Sequence, residues 1–246
     1  MNNSGRSPDI FQTPASPERR RLLRRALLLG ASLPFLFGLV LLLPAGTPDW
    51  PSAWALMAVY ALGMLGINLW LIANRPGLAR ERLMVPRTSE RWDLRLLQVV
   101  NILLLAIMLP LAGVDHRLGS SPAVPPAVSA AALLIFGGVF VFLIRLMAIN
   151  EFFSAAVRWQ KDRGHATVRE GPYRVVRHPA GYVAMILQFF AIPLALGSLW
   201  AVLPALGAAA AYVLRTARED RFLLETLPGY PAYARTVPFR LIPGIW

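Results

Sequence analysis

The feature that most constrains this chain is a series of long apolar runs. Four of them are about as long as one membrane-crossing helix: residues 26–43, 54–73, 96–114 and 128–149. Arg145 is the one charged residue among these four runs. A helix needs about 20 apolar residues to cross the hydrocarbon core of a bilayer. Each of the four runs therefore predicts one transmembrane helix.

A fifth run, residues 180–214, has 35 positions without a charged residue. It is too long for a single crossing, and Pro193, Gly197 and Pro204 interrupt it. Proline and glycine break or end helices, so this run predicts a helix–turn–helix hairpin. The predicted fold class is all-α, a polytopic integral membrane helical bundle of about six transmembrane segments with the last two as the hairpin.

Composition and charge support a membrane protein. Only 15% of the residues are charged and 56% are hydrophobic, whereas a soluble domain carries about a quarter charged residues. The net charge of +12 would suggest a nucleic-acid partner in a soluble protein, but in so apolar a chain it marks loops that face anionic lipid. We therefore expect no nucleic-acid partner. The absence of cysteine excludes disulfides and thiolate metal sites, and the three histidines lack metal-ligand spacing, so no metal is expected.

The basic residues alternate between successive loops. The counts are six before residue 26, none in 44–53, six in 74–95, one in 115–126, six in 150–179 and five in 215–246. The positive-inside rule then predicts that both termini are cytoplasmic. The composition, rich in Ala, Leu and Arg, resembles that of bacterial proteins and predicts the inner membrane. Residues 1–25 are predicted to be a disordered basic cytoplasmic tail, and 26–149 a four-helix membrane scaffold; no signal-peptide cleavage site follows the first run.

The chemistry-bearing residues concentrate in residues 150–246, on both sides of the predicted hairpin. Because a hairpin returns to the membrane face it left, Arg177, His178 and Pro179 are expected to lie near Arg215 and Glu219. Arginine and imidazole bind carboxylate or phosphate, and a glutamate accepts from ribose hydroxyls or an ammonium group. Two interpretations follow from these residues: a site for a zwitterionic, nucleotide-like cofactor, or a belt of interfacial side chains paired with lipid headgroups.

The order of motifs resembles a known family. The chain reads Gly-Pro-Tyr-x-x-x-Arg-His-Pro at 171–179, Arg-x-x-x-Glu-Asp at 215–220, Leu-Pro-Gly-Tyr-x-x-Tyr at 227–233 and Arg-Leu-Ile-Pro-Gly-Ile at 240–245. This series resembles the isoprenylcysteine carboxyl methyltransferase family and the wider group of integral membrane methyltransferases that includes phospholipid methyltransferases. The resemblance implies that residues 150–246 are the methyltransferase-like catalytic region.

The resemblance also implies a cofactor, S-adenosyl-L-methionine, and the residues that hold it. Those residues are Gln160, His165, Ala166, Thr167, Val168, Tyr173, His178, Pro179, Ala180, Gly181 and Glu219. Arg215 matches the arginine directed at the methyl acceptor, and Arg177 is a second catalytic candidate. The acceptor, a lipidic or small membrane-accessible molecule, is left open as a carboxylate, an amine or a thiol; the last two need a base. Oligomeric state is also left open.

Two other functions are weighed against this one. Membrane sterol and steroid reductases, which use NADPH, resemble the group in their C-terminal half and share an Arg-His-Pro element. They commonly place an Asp-x-x-Cys and a Lys-Tyr-Gly-x-x-Trp pattern after the hairpin, whereas this chain has Leu-Pro-Gly-Tyr there and no cysteine. A non-enzymatic lipid-binding protein is the third alternative.

Overall fold

The computed structural model describes residues 17–84, 88–179 and 181–246, and in that part the chain forms helices and no strand. The all-α prediction is therefore confirmed. The helices are α1 Pro17–Ala45, α2 Pro51–Asn74, α3 Pro76–Leu83, α4 Arg91–Asn101, α5 Leu109–Leu118, α6 Pro126–Ile149, α7 Gly181–Leu196, α8 Val202–Thr226 and α9 Tyr230–Thr236. A π-helical segment, Ile102–Met108, joins α4 and α5 into one continuous helix.

Four helices of the described residues are long and apolar enough to cross a membrane. They are Pro17–Ala45, Pro51–Asn74, Arg91–Leu118 and Pro126–Ile149. Each contains one of the four predicted single-crossing runs. Large apolar side chains on their outer surfaces are exposed, such as Leu62 at 70% and Leu134 at 77%. Such a surface is suited to lipid rather than to water.

The fifth run breaks where proline and glycine predicted a break. α7 ends at Leu196, Gly197 has a positive φ of 74°, and α8 begins at Val202. The two helices pack against each other. The apolar part of α7, Ala184–Leu196, is shorter than a membrane crossing, and the second half of α8 carries charged side chains. Membrane insertion of this pair, and with it the count of six segments, stays a proposal.

The structure differs from the prediction at the start of the chain. α1 begins at Pro17, so residues 17–25, assigned above to a disordered tail, are helical. Proline suits the first position of a helix, and Glu18 in the first turn complements the helix dipole. The arginines and leucines that follow have high helix propensity. Residues 1–16 lie outside the described part of the chain.

The helices pack around a shared apolar core. α1 packs against α2, α2 against α6, α6 against α7, and α7 against α8; α8 contacts α4 and the π-helical segment, and α5 returns to α1. Leu41, Leu71, Met108, Phe136 and Leu146 are among the buried residues of this core. The charged second half of α8 therefore lies beside α4, which brings the N-terminal half of the chain to the candidate site.

Candidate active site

A cavity of about 230 Å³ lies where the segment 150–179, α8 and the C-terminal residues meet. Most of the predicted cofactor residues line it: Gln160, His165, Ala166, Thr167, Val168, Tyr173, His178, Pro179 and Glu219. Arg177 and Arg215 line it as well. Of the other two predicted residues, Ala180 lies outside the described residues and Gly181 begins α7. The sequence motifs thus converge on one cavity.

One face of α8 forms a wall of this cavity. Tyr212, Arg215, Glu219 and Leu223 all line it, and their spacing of three or four residues puts them on the same side of a helix. Tyr212 and Arg215 are nearer the apolar half of α8, and Leu223 is nearer its charged end. The cavity therefore extends along the helix from a charged end toward the apolar bundle.

Glu219 is the most unusual group in the cavity. Its Oε2 atom is buried and has no hydrogen-bond partner among the described residues. Burial raises the pKa of Glu219 to about 8, and the neighbouring negative charges of Asp93 and Asp220 act in the same direction. A buried acceptor without a partner is rare in folded proteins, so this carboxyl group is available to a donor that enters the cavity.

The adjacent Asp220 has the opposite environment. It is 0% exposed and accepts hydrogen bonds from Arg177 (Nε–Oδ1 2.8 Å), Arg240 (Nε–Oδ2 2.8 Å) and the hydroxyl of Tyr230 (2.8 Å). His178 Nε2 lies 3.2 Å from Oδ1. Burial by itself would raise the pKa of Asp220, but the hydrogen bonds from His178, Arg177 and Arg240 outweigh it and hold the pKa well below its usual range.

Arg177 ties the C-terminal residues to the cavity wall. Its Nη1 donates to the carbonyls of Val237 (2.8 Å) and Pro238 (2.9 Å), in addition to the contacts of Nε and Nη2 with Asp220. Its backbone N–H donates to Phe239 at 2.9 Å. Arg177 therefore lines the cavity with its guanidinium occupied by Asp220 and by the C-terminal carbonyls.

Arg215 is held by a residue that the sequence analysis did not identify. Its Nη2 donates to Oδ2 of Asp93 at 3.0 Å, and its Nε donates to Oδ1. Asp93 belongs to α4, is 0% exposed, and also accepts from the backbone N–H of Val157 at 2.8 Å. Arg215 therefore faces the cavity with its planar fork bound to Asp93. The segment 74–95 has six arginines and three acids, Glu81, Glu90 and Asp93, and nothing in its sequence singles out Asp93 as the partner of Arg215.

A second buried ion pair anchors the segment 150–179. Arg158 donates to both carboxylate oxygens of Glu81 in α3, at 2.6 and 2.8 Å, and to Asp162 at 2.7 Å. Glu81 and Arg158 are both buried. α3 thereby fixes one side of the cavity, which is a contribution that the motifs of the C-terminal half do not reveal.

His165 presents a neutral imidazole to the cavity. Its ring lies against Phe152, with centroids 4.7 Å apart. Burial, together with the positive charges of Arg158 and Arg163, lowers the pKa of His165 to about 4. Nearby, the side chain of Gln160 bonds to the carbonyl of Phe152 and to Arg163. Gln160 therefore shapes this wall mainly through contacts within the segment.

The comparison with protein families bears on the alternatives considered above. Residues 126–228 match the family model described as phospholipid methyltransferase. The predicted resemblance to phospholipid methyltransferases is thereby confirmed. The match supports a membrane methyltransferase and does not favour the reductase or the non-enzymatic alternative. None of the curated proteins gives a significant match to the chain.

The phospholipid methyltransferase match extends from the start of α6 to Pro228 in the turn before α9. It includes Glu219, Asp220 and Arg215. Asp93 and Glu81, which hold two of the cavity arginines, lie outside it. The matched stretch thus contains the motif residues, whereas part of their support comes from the N-terminal half.

Proposed function

We propose that the protein is an integral membrane methyltransferase that uses S-adenosyl-L-methionine and acts on a lipidic or small membrane-accessible acceptor. The observation that carries this proposal is the buried, unpartnered Oε2 of Glu219 in the cavity. Glu219 lies within residues 126–228, which match the phospholipid methyltransferase family model.

The residues present fit this cofactor. The ammonium group and the ribose hydroxyls of the cofactor are hydrogen-bond donors. Oε2 of Glu219 is a buried acceptor without a partner among the described residues, so it can accept from one of them. Tyr173 and the imidazole of His165 offer flat surfaces suited to an adenine ring. Residues 166–168 add backbone groups to the lining. We assign the cofactor to these residues, with His178 and Pro179 behind them, and extend the assignment to Ala180 and Gly181 from the motif alone.

In this reaction the protein contributes mainly by positioning the two reactants. S-adenosyl-L-methionine supplies a methyl group on a sulfonium centre, which an oxygen, nitrogen or sulfur atom of the acceptor takes up as the carbon–sulfur bond breaks. The chain must hold the acceptor at near-attack distance and exclude water. A carboxylate acceptor needs no base. For an amine or thiol acceptor, Glu219, whose pKa is about 8, is the cavity residue suited to take up the proton.

The two arginines of the original site prediction have different proposed roles. Arg177 binds Asp220 and the C-terminal carbonyls, so we assign it the positioning of His178 and Tyr230. Arg215 is bound by Asp93, so its effect on the acceptor is to set the charge and shape of the inner cavity wall.

The membrane arrangement is part of the same proposal. We place the α7–α8 hairpin in the membrane as the last two of six segments, with the termini and the basic segments 74–95 and 150–179 in the cytoplasm of a bacterial cell. The first half of α8 is apolar and Glu219 follows it, so the cavity would open to the cytoplasm at the membrane surface. Residues 26–149 remain the scaffold and 150–246 the catalytic region, with Asp93 and Glu81 contributed by the scaffold.

The test is a transfer assay with methyl-labelled S-adenosyl-L-methionine. Purified protein in vesicles of bacterial lipid extract is incubated with the donor, and lipids and small metabolites are analysed by mass spectrometry. We expect label in at least one acceptor with the wild type and with Glu225→Gln, an exposed position of the same helix. We expect Glu219→Gln to reduce the label strongly. Absence of label from every fraction with the wild type would contradict the proposal.

A further inference from the structure

The cavity contains four arginines, and three of them are neutralised within the protein. Arg158 pairs with Glu81, Arg177 with Asp220 and Arg215 with Asp93. The fourth is Arg82 of α3. Among the residues that the structure describes, no carboxylate lies within ion-pair distance of Arg82. Its contacts are a hydrogen bond from Nη1 to the carbonyl of Phe153 (3.2 Å) and a position over the Phe153 ring (5.5 Å).

Burial has a clear effect on this unneutralised charge. It lowers the pKa of Arg82 to about 10, with smaller contributions from Tyr212, which raises it, and from Arg215, which lowers it. Arg82 is half-buried, and removing a cation even partly from water without an anionic partner has a cost. A bound oxyanion would offset that cost, and it would accept from the N–H groups that Phe153 does not use.

Different groups of the cavity act on Arg82 and on Glu219. The residues of α8 that influence Arg82 are Tyr212 and Arg215, toward the apolar half of the helix. The charges that raise the pKa of Glu219 are Asp93 and Asp220. Tyr212 and Glu219 are roughly 10 Å apart along the axis of α8, at 1.5 Å per residue. If the donor is held at Glu219, Arg82 is left to a second molecule in the same cavity.

We propose that Arg82 binds an oxyanion, a carboxylate or phosphate group, carried by the methyl acceptor. This assignment rests on the proposed methyl transfer, and it specifies that the methyl acceptor carries a negative charge. It gives the recognition of the acceptor to a residue of α3, outside the stretch that matches the family. Arg215, the sequence-based candidate for this role, has its fork bound to Asp93.

Binding of lipid probes to the full-length protein in detergent tests the assignment. The probes are radiolabelled oleate, dioleoyl phosphatidic acid and oleyl alcohol, which share the oleyl chain and differ in charge. We expect the wild type to bind the two anions about tenfold or more tightly than the alcohol, because a hydrogen bond to a charged group has an effect of that size. Arg82→Gln should abolish this preference, and Arg82→Lys should retain part of it because the charge remains.

The matched control is Arg80→Gln, on the same helix but exposed and paired with Glu18; it should keep the preference. Calorimetry with S-adenosyl-L-methionine on every variant reports whether the donor site and the fold are intact. Retention of the anion preference in Arg82→Gln, or its loss in Arg80→Gln, would overturn the assignment. So would a wild type without any preference.

Two further arms separate the remaining interpretations. If Arg82→Gln weakens donor binding and leaves the lipid preference unchanged, Arg82 belongs to the donor site and the assignment is wrong. Competition by inorganic phosphate identifies the source of the oxyanion. Displacement of oleate by phosphate indicates a small soluble acceptor, and the absence of displacement indicates a lipid. Arg82 is the binding residue in both cases. A wild type that binds anionic lipid but no methyl donor would contradict the proposed function alone.

Discussion

At the scale of single residues, the site depends on two neighbouring acids with opposite environments. Asp220 accepts from several buried donors, which lower its pKa, whereas Glu219 is buried without a partner for Oε2 and has a pKa of about 8. Neighbouring carboxyl groups whose pKa values are driven apart commonly have separate roles. Here Asp220 holds the structure of the site, and Glu219 remains available to a ligand.

The first prediction concerns the role of Glu219 in donor binding. Glu219→Gln should weaken S-adenosyl-L-methionine binding about tenfold or more, because the amide, unlike the carboxyl group, cannot release a proton and become a charged acceptor for the ammonium group of the donor. Isothermal titration calorimetry on the purified protein measures the change. Glu225→Gln, exposed on the same helix, should bind like the wild type. Equal affinities of the wild type and Glu219→Gln would remove Glu219 from the donor site.

The second prediction follows from the raised pKa of Glu219. Between the ordinary value of 4.5 and about 8, the folded protein holds a proton that the unfolded chain releases, so this group lowers stability as pH rises through that interval. Glu219→Gln removes the effect. The melting temperature of the variant should therefore be close to that of the wild type at pH 5 and higher at pH 9. The expected difference is about 2–4 °C for each kcal/mol of change in the free energy of unfolding. Thermal unfolding scans without ligand measure this difference in melting temperature. A difference that does not change with pH would refute the prediction.

At the scale of helices, buried pairs and close contacts decide how the elements meet. The pair of Asp93 and Arg215 joins α4 to α8 beneath the cavity, and that of Glu81 and Arg158 joins α3 to the segment 150–179. Gly113 of α5 lies against the backbone of α1, where an added Cβ would meet the carbonyl oxygen of Leu41. The two ion pairs hold the walls of the cavity with acids from outside the motif region, whereas the contact of Gly113 sets the packing of α5 on α1.

The third prediction compares a buried ion pair with an exposed one. Asp93→Asn leaves Arg215 buried beside a neutral amide, and breaking a buried pair costs about 3–5 kcal/mol. Asp162→Asn removes a partner of Arg158 whose side chain is 63% exposed, and such pairs contribute about 1 kcal/mol or less. Thermal unfolding in detergent should show a large loss for the first variant and a small one for the second. Similar losses would show that Asp93 does not stabilise the contact between α4 and α8.

The fourth prediction tests the close approach of α5 to α1. Gly113→Ala should destabilise the protein by about 1–3 kcal/mol, because the new methyl group meets backbone atoms of Leu41 and Ala45 that cannot move aside. Gly138→Ala in α6 is the matched control, since a Cβ there meets nothing within 4 Å. The control should be as stable as the wild type or slightly more so. Thermal unfolding of both variants provides the comparison.

At the scale of the whole molecule, the long helices form a closed series of contacts that runs from α1 through α2, α6, α7 and α8 to the continuous helix of α4 and α5 and back to α1. The cavity lies at the end of the bundle that carries the basic segments 74–95 and 150–179. In the proposed arrangement a lipid acceptor would reach the site from the bilayer, and the donor would reach it from the cytoplasm. The orientation in the membrane is therefore central to the proposed function.

The fifth prediction tests that orientation with single cysteines in a chain that has none. Four exposed positions are suited to labelling: Asp49, Ala123, Thr88 and Thr236. In intact cells, a membrane-impermeant maleimide should label Asp49→Cys and Ala123→Cys, and it should label Thr88→Cys and Thr236→Cys only after permeabilisation. Labelling of Thr88→Cys from outside would contradict both the six-segment arrangement and a cytoplasmic opening of the cavity.

Much of this molecule was predictable because the relevant signals are local. The four single-crossing runs correspond to four long apolar helices, and Gly197 marks the break between α7 and α8. The helix start at Pro17 was placed nine residues too late, since the absence of charge indicated the membrane-crossing part and not the helix itself. The motif residues converge on one cavity because the hairpin between them returns the chain to its starting level.

Apolar runs, basic loops and ordered motifs are properties of neighbouring residues, so the amino-acid sequence alone determined the all-helical fold with its four long apolar helices and the motif residues that line the cavity. The tertiary structure decided which charges are paired. Asp93 meets Arg215 across 122 positions of the chain, and Arg82 lines the cavity without a carboxylate partner among the described residues. Such pairings depend on how distant helices pack and on which buried charge is nearest, and neither hydropathy nor motif spacing contains that information.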